Sequence, residues 1–417
     1  MKKVILLLLL VLLPGGIASG QGTITYELIS NYHFDDISGW HISNNRQSIV
    51  VLQDERPMRV WQLSERREMC TFATASGAPF QNAAWSYDDQ LLAGVSRDGL
   101  IVWKLSDCSV VFEYLDHDIG AMAFMPGANR LIFWCDDCGA LQMLHVDIPS
   151  LVTLRVTDYS FDNPILLHFN PDGLMMSMID NLSSFIMYHL DQRTVTPITY
   201  ESSLLLGPTF SPDTSYLAAG VTGGLLVIDT QSGDISTCPV DSNLVITQID
   251  WLNDQQVLTL SRPHFYGHLF HSGSSVHHWS IPDCTELHRL NVKTTVELPL
   301  TLEENERLIA YSDTWVQFIN EETLEVTGQA LDPTDEQTTY TVTNQELVYF
   351  DYNATYDVVA VAGSADEILF WRLSDGTLLG TIAEPDIPYS VLWMDTDKLI
   401  VATDDGIRIM RISFAPE

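Results

Sequence analysis

The chain has 417 residues, 46% of them hydrophobic, and it carries 20 Lys and Arg residues against 55 Asp and Glu residues. The formal net charge of −35 argues against nucleic acid and anionic membrane surfaces as partners, because phosphate recognition needs a basic footprint. The acidic residues are scattered along the sequence, which is typical of a solvated surface and favours cations or basic partners.

The first twenty residues predict a secretory signal peptide. Lys2 and Lys3 precede an apolar run at 4–13, and small residues suited to cleavage follow at 18–20. The apolar run is too short to span a bilayer comfortably. We therefore expect residues 1–20 to be removed and the protein to be secreted or periplasmic, with an uncleaved anchor as the alternative. No later stretch approaches membrane-spanning length without charges.

Residues 83–108, AAWSYDDQLLAGVSRDGLIVWKLSDC, define a repeat. Three short apolar runs, rich in residues that favour strands, are separated by polar turns, and a fourth run follows at 110–114. Weaker copies recur with a spacing of about 40 residues, which is typical of propeller blades. The nine copies of the third strand lie at 58–63, 100–105, 141–146, 185–190, 225–229, 275–281, 315–319, 368–373 and 407–412.

Two first strands run into a Pro-Asp turn, in Phe169-Asn170-Pro171-Asp172 and Phe210-Ser211-Pro212-Asp213. This pattern resembles WD40 repeats and related bacterial propeller repeats, over nearly all of the chain. The resemblance implies an all-β fold in which residues 21–417 form a single β-propeller of four-stranded antiparallel blades. Eight or nine blades are expected, with nine favoured; the repeats around Leu144 and Trp315 are the weakest.

The resemblance is degenerate, because no third strand carries the family's Trp-Asp pair. It implies that the hydrogen-bonded network of His, Ser or Thr, Asp and Trp survives only in part, around Asp98 and Trp103. The last repeat, at 389–414, has three strands. Residues 23–29, TITYELI, are expected to supply its fourth, outer strand, which would close the ring.

Six cysteines in a secreted chain predict disulfides. Cys108 and Cys284 occupy equivalent turns after the third strand, and Cys70 and Cys238 occupy the fourth strand of the preceding repeat. The register therefore predicts the pairs Cys70–Cys108 and Cys238–Cys284. It leaves Cys135 and Cys138 for a local disulfide in a β-turn, with a redox-active dithiol and a metal site as alternatives.

The segment 263–279, PHFYGHLFHSGSSVHHW, stretches one repeat and is rich in histidine. Imidazoles bind Zn, Cu or Ni, and His264, His268 and His271 are close enough in sequence to converge on one ion. The alternative is a polar insertion without metal. We expect no cofactor, with a divalent metal at these three residues as the alternative.

Loops between second and third strands share one face of a propeller with the loops that join consecutive blades. Because loops on a rigid scaffold commonly carry function, that face is the predicted binding surface. The aromatic residues assigned to it are Tyr159, Phe161, Phe265, Tyr266 and Tyr340.

The sequence thus predicts a monomeric, non-catalytic propeller that binds another protein or a glycan through its loop-rich face. No coherent catalytic constellation is present in the sequence. The competing class is a metal-dependent propeller enzyme, a hydrolase or lyase, that uses the His-rich segment 263–279.

Overall fold

A computed structural model of the protein describes most of the chain between residues 24 and 414. The described residues are 24–33, 37–54, 56–63, 65, 67–154, 164–180, 185–200, 205–263, 275–291, 307–312, 315–320, 326–331, 349–362, 367–372, 377–384, 386, 388–403 and 406–414. They form two compact units, a central unit (Phe34–Thr339) and a terminal unit (Met1–His33 with Tyr340–Glu417). Within the part of the chain that the structure describes, no helix is long and apolar enough to span a membrane.

The central unit contains sheets 1 to 7, in which the strands follow one another in chain order. Its strands are β2 (Ile37–Ile42), β3 (Ser48–Gln53), β4 (Met58–Gln62) and β5 (Arg67–Phe72) in sheet 1; β6 (Phe80–Trp85), β7 (Leu91–Ser96), β8 (Gly99–Lys104) and β9 (Ser109–Leu115) in sheet 2; β10 (Ile119–Phe124), β11 (Arg130–Cys135), β12 (Ala140–His145) and β13 (Ser150–Leu154) in sheet 3; β14 (Pro164–Phe169), β15 (Met175–Asp180), β16 (Phe185–His189) and β17 (Thr194–Ile198) in sheet 4; β18 (Leu205–Phe210), β19 (Tyr216–Val221), β20 (Gly224–Asp229) and β21 (Ile235–Pro239) in sheet 5; β22 (Leu244–Asn253), β23 (Gln256–Pro263), β24 (Ser275–Ser280) and β25 (Thr285–Asn291) in sheet 6; and β26 (Arg307–Ser312), β27 (Trp315–Asn320) and β28 (Val326–Leu331) in sheet 7.

The terminal unit contains sheets 8 and 9. Its strands are β29 (Tyr349–Asn353), β30 (Val358–Ala362), β31 (Glu367–Arg372) and β32 (Leu378–Ala383) in sheet 8, and β33 (Pro388–Trp393), β34 (Lys398–Thr403), β35 (Gly406–Phe414) and β1 (Ile24–His33) in sheet 9. The N-terminal strand pairs antiparallel with β35, with Ile24 opposite Phe414. The structure thus confirms that the strand predicted at 23–29 completes the last repeat.

All nine predicted third-strand copies coincide with strands. Eight of the nine sheets have four strands among the described residues, and sheet 7 has three. The weak repeat around Leu144 forms a complete sheet, and the repeat around Trp315 forms sheet 7. The prediction that residues 21–417 make one domain stays a prediction.

The second and third strands of the sheets are continuous apolar runs in the sequence because their side chains are buried on both faces of the sheet. Every residue of β7 and all of β8 except Lys104 are buried, whereas β9 has no buried residue. Sheets buried on both faces require apolar side chains at successive positions. In the central unit, apolar clusters join sheets 1 to 6 pairwise in chain order, as in the contact of Met58 and Phe72 with Phe80 and Trp103.

Consecutive sheets are also joined by a recurring tryptophan hydrogen bond. In three cases an indole N–H on the first strand of one sheet donates to a carbonyl on the first strand of the preceding sheet. The donor and acceptor residues are Trp85 and His41 (3.1 Å), Trp251 and Thr209 (3.3 Å), and Trp393 and Asp351 (3.1 Å). The bond anchors a large ring, buried in Trp251 and Trp393 and half-buried in Trp85, and satisfies its only polar atom.

Two of the turns between first and second strands share one hydrogen-bond pattern. In the turn after β18, Ser211 Oγ donates to Asp213 Oδ1 (2.8 Å) and accepts the N–H of Tyr216 (3.0 Å). In the turn after β6, Ser86 Oγ donates to Asp88 Oδ1 (2.7 Å) and accepts the N–H of Leu91 (2.9 Å). Side chains of this kind cap their own backbone, which is why Ser and Asp recur there.

Candidate functional site

The histidines predicted to bind metal and the aromatic residues of the predicted binding face lie outside the described residues. These are His264, His268, His271, Tyr159, Phe161, Phe265, Tyr266 and Tyr340. Their roles stay predictions.

The strands that carry the His-rich segment are described, and they hold a buried polar network. His277 on β24 is 1% exposed. Its Nε2 lies 3.0 Å from Oγ of Ser261 on β23, and its Nδ1 lies 2.7 Å from Oε1 of Glu286 on β25. Beside it, the indole N–H of Trp279 donates to Oγ1 of Thr259 at 3.0 Å.

Burial lowers the pKa of the His277 imidazole, although the neighbouring Glu286 carboxylate acts in the opposite direction. At neutral pH the ring is therefore uncharged, with Nδ1–H donating to Glu286 and Nε2 available to the Ser261 hydroxyl. Hydrolases activate a serine with such a chain of residues. Ser261, however, is fully buried, and its Oγ is also within 3.2 Å of the Ser275 carbonyl. The network therefore fixes three strands of sheet 6 to one another.

The structure contains three disulfides, Cys70–Cys108, Cys135–Cys138 and Cys238–Cys284, and these are the pairs that the repeat register predicts. Two of them join the fourth strand of one sheet to the turn after the third strand of the next. Cys108 and Cys284 hold the same positive-φ conformation, at 58° and 52°, which reflects their equivalent positions.

The third disulfide lies in a corner formed by Tyr114, His117, Cys135, Asp137 and Cys138, which we call the Cys135–Cys138 corner. Asp137 Oδ2 lies 2.8 Å from Nδ1 of His117. The Tyr114 ring stacks on the His117 ring, with 4.4 Å between centroids. The corner combines the turn between β11 and β12 with the connection from β9 to β10, so it belongs to the face predicted to bind.

The hydrogen bond from His117 lowers the pKa of the Asp137 carboxyl. Burial, followed by the charge of Asp137, raises the pKa of Tyr114. The corner therefore presents an ionised carboxylate and a neutral phenol at neutral pH. One donor atom from each of His117, Cys135, Asp137 and Cys138 lies within 4.8 Å of the others, a set of ligand types that metals use.

A groove lies at the other end of sheet 3, among the turns that follow first and third strands. Its volume is about 630 Å³, within the range of roughly 300–1,000 Å³ that is usual for ligand-binding clefts. Its lining residues come from sheets 2 and 3: Tyr87, Asp88, Gly127, Ala128, Asn129, Arg130, His145, Asp147, Ile148, Ser150 and Val152.

Tyr87 and Ile148 contribute large apolar side chains to the lining of the groove. Their exposed fractions are 64% and 77%, the two highest among the large hydrophobic residues that the structure describes. Each lies in a turn held by the flanking strands. Large side chains that stay exposed together are a feature of interaction surfaces.

Two carboxylates lie in the same groove. Asn129 Nδ2 donates to Oδ2 of Asp88 at 3.3 Å and to Oδ1 of Asp147 at 3.4 Å, so one amide holds both side chains. Burial alone would raise the pKa of Asp88, but hydrogen bonds from Ser86, Gln90 and Asn129 lower it below its usual value. Asp88 is therefore ionised at neutral pH.

The groove was not predicted from the sequence. Tyr87 and Asp88 lie in a polar turn of the repeat at 83–108, and Ile148 lies 61 positions beyond Tyr87, in another sheet. A signal was present, since both Tyr87 and Ile148 are large apolar residues inside polar turns. Their proximity depends on the packing of sheet 2 against sheet 3.

Comparisons with solved structures establish the fold. The chain is similar to Saccharomyces cerevisiae Sqt1, with 13% identity and a TM-score of 0.54, over 93% of this chain and 98% of that one. It is similar to the Dos1 propeller, with 10% identity and a TM-score of 0.53, over 80% and 92% of the two chains. A third similar structure is the dihydro-heme d1 dehydrogenase NirN in complex with DHE, with 12% identity and a TM-score of 0.53, over 86% and 78% of the two chains.

The chain has a β-propeller fold, as predicted. No protein-family model matches the sequence, and no curated relative matches it. The eight four-stranded sheets agree with the lower of the two predicted blade numbers, and the three described strands of sheet 7 add a further sheet. At these identities the likeness concerns the fold alone.

Proposed function

We propose that this propeller is a non-catalytic scaffold that binds a short basic segment of a partner protein in the groove between sheets 2 and 3. One observation carries the proposal. The two most exposed large hydrophobic side chains of the described residues, Tyr87 and Ile148, line a single groove together with two carboxylates, Asp88 and Asp147.

This combination matches the chemistry of a lysine or arginine side chain. The aliphatic stem of such a residue packs on apolar and aromatic surface, while its charged end reaches an acid. Asn129 already orients both carboxylates, so binding does not have to order them. Preorganised groups of this kind reduce the entropic cost of association.

The overall charge supports the same partner class. A net charge of −35 attracts basic segments and repels acidic ones over distances up to the Debye length. The association rate is therefore expected to fall as salt concentration rises.

We further propose that the protein works outside the cytoplasm. The proposal rests on the predicted signal peptide at 1–20, and disulfides persist mainly in oxidising compartments. N-terminal sequencing of the protein from its native cells tests this point. A mature terminus near residue 21 is expected, and an intact leader would contradict it.

Site-specific photocross-linking tests the binding proposal. A photoreactive residue is placed at Ile148 in the full chain, and in a control protein at Val110, which is 50% exposed on the fourth strand of sheet 2. We expect a discrete partner to be captured from position 148 and not from position 110. Synthetic peptides of that partner, including its Lys- and Arg-containing segments, are then titrated by fluorescence anisotropy.

Two variants give the decisive comparison. Ile148→Ser and Asp147→Asn are each expected to weaken the captured basic peptide about tenfold, the effect of losing an apolar contact or a charged hydrogen bond. Val110→Ser should leave its affinity unchanged. Equal capture from both positions, or a peptide affinity that neither groove variant alters, would contradict the proposal.

A further inference from the structure

The Cys135–Cys138 corner holds a mixed set of metal ligands that the disulfide keeps unavailable. The cluster contains two sulfurs, one imidazole and one carboxylate, with donor atoms within 4.8 Å of one another. We propose that reduction of the Cys135–Cys138 disulfide creates a site for a divalent transition metal, with Zn²⁺ as the preferred ion. The site would use Cys135, Cys138, His117 and Asp137.

The ligand chemistry favours zinc. Two thiolates with two nitrogen or oxygen donors form tetrahedral zinc sites, at about 2.3 Å for sulfur and about 2.0–2.2 Å for nitrogen and oxygen. Such bond lengths place neighbouring donor atoms roughly 3.3–3.8 Å apart in a tetrahedron. The widest donor separation, at most 4.8 Å, therefore has to shorten by about 1 Å, whereas the two sulfurs, which a disulfide bond holds about 2 Å apart, have to move away from each other. Opening the disulfide permits both movements.

The other two ligands are already positioned. Asp137 Oδ1 accepts the backbone N–H of Asp118 at 3.2 Å, and Oδ2 lies 2.8 Å from His117 Nδ1. Stacking of the His117 ring on Tyr114 holds the imidazole plane, at 16° to the phenol. Metal sites depend on such supporting contacts for ligand orientation.

Cys135 and Cys138 differ in solvent exposure, and this difference determines which sulfur a reductant attacks first. Cys135 is fully buried and Cys138 is exposed. The thiolate of a dithiol reductant attacks Cys138 Sγ, the S–S bond breaks, and Cys135 leaves as a thiolate. The second thiol of the reductant then displaces Cys138, which yields the oxidised reductant and, after protonation, two protein thiols. Two electrons pass to the protein, and metal binding later releases the two thiol protons.

The site is separate from the groove. Cys135 pairs with Ala140 at one end of β11 and β12, whereas Arg130 pairs with His145 at the groove end. Metal binding at the corner and peptide binding in the groove can therefore be measured independently.

The experiment uses the full chain, reduced with a dithiol until peptide mapping shows free thiols at Cys135 and Cys138 only. Co²⁺ is the first probe, because thiolate coordination gives a charge-transfer absorption band, and Zn²⁺ is then used to displace it. We expect one equivalent of metal per chain in the reduced protein and none at this site in the oxidised protein. Absence of the thiolate band when both cysteines are reduced would overturn the proposal.

Matched variants assign the ligands. His117→Ala and Asp137→Asn should each lower the Zn²⁺ affinity of the reduced protein at least about tenfold, and Cys138→Ser should remove most of the charge-transfer band. His189→Ala is the control, since His189 lies on β16 in sheet 4, outside both this corner and the groove. If His117→Ala behaves like His189→Ala, or if the oxidised protein binds Zn²⁺ equally well, the metal is bound elsewhere and the proposal fails. Intact Cys70–Cys108 and Cys238–Cys284 disulfides in each variant verify that the fold is retained.

Discussion

The imidazole of His277 bridges β23 and β25. Its Nε2 lies 3.0 Å from Oγ of Ser261, and its Nδ1 lies 2.7 Å from Oε1 of Glu286. Both bonds are made by an uncharged ring, because burial lowers the pKa of His277. The same three residue types that activate a nucleophile in hydrolases here join β23, β24 and β25.

The first prediction concerns the pH dependence of this network. In the folded protein the pKa of His277 lies below the ordinary histidine value of 6.5, so the unfolded chain binds the extra proton first. The stabilising contribution is therefore complete above pH 6.5 and is lost as pH falls from there toward the folded pKa. We expect the denaturant midpoint of the wild-type protein to fall more steeply across this window than that of His277→Gln. Parallel curves for the two proteins would contradict the assignment.

The second prediction concerns the close approach of sheets 5 and 6 in the central unit. A Cβ atom on Gly220 would overlap the carbonyl oxygen of Ile246, whereas one on Gly39 would make an ordinary contact of 3.5 Å with Leu52. Gly220→Ala should lower the free energy of unfolding by about 3 kcal/mol through overpacking. Gly39→Ala is the control and should change it by less than about 1 kcal/mol. Thermal denaturation of both variants checks the difference.

The third prediction compares the disulfides by the chain length they enclose. Cys238 and Cys284 are 46 residues apart, while Cys135 and Cys138 are three apart. The loop-closure estimate gives about 4 kcal/mol for the first pair and less than about 2 kcal/mol for the second. The double variant Cys238→Ser with Cys284→Ser should therefore unfold at markedly lower denaturant concentration than Cys135→Ser with Cys138→Ser. The reverse order would show that the short bridge carries native contacts beyond its loop.

The fourth prediction concerns a buried ion pair in the terminal unit. Arg408 donates to Glu384 and, at 2.6 Å, to Asp386. Burial raises the pKa of Glu384, and Arg408 opposes that shift. Arg408→Met should destabilise the protein by about 3–5 kcal/mol, because it leaves a buried acid without its partner.

A second variant separates the charge effect from the packing effect. Combining Arg408→Met with Glu384→Gln removes the uncompensated acid and should recover part of the loss. If the double variant is no more stable than Arg408→Met, the packing of the arginine side chain, not the charge of Glu384, explains the destabilisation.

The sequence repeat predicted most of the fold, because the strands and turns of each sheet depend on residues that are close together in sequence. Apolar runs such as 100–105 are strands buried on both faces, and the turn chemistry of residues such as Ser211 and Asp213 is local. The cysteine pairs follow from the same register, since equivalent positions in neighbouring repeats lie side by side. The pairing of residues 23–29 with the last repeat followed from a count of strands.

The buried polar network of sheet 6 and the groove between sheets 2 and 3 could not be predicted from the repeat. The resemblance placed the surviving network around Asp98 and Trp103, whereas Asp98 bonds with Ser76 and a network of His, Ser and Glu lies in sheet 6. Glu286 pairs with Trp279 because the register shifts between His278 and Trp279. A one-residue bulge leaves no mark in the hydrophobic pattern.

Sheet 9 pairs β1 with β35, the first and the last of the described strands, and Glu27 pairs with Arg411 across 384 residues of sequence at 2.8 Å. A pairing between strands so distant in sequence requires closure of a long loop, which makes it slow to form. Until it forms, the edges of both strands are open to wrong pairing. Correct folding of sheet 9 therefore depends on keeping β1 and β35 from other partners until they meet.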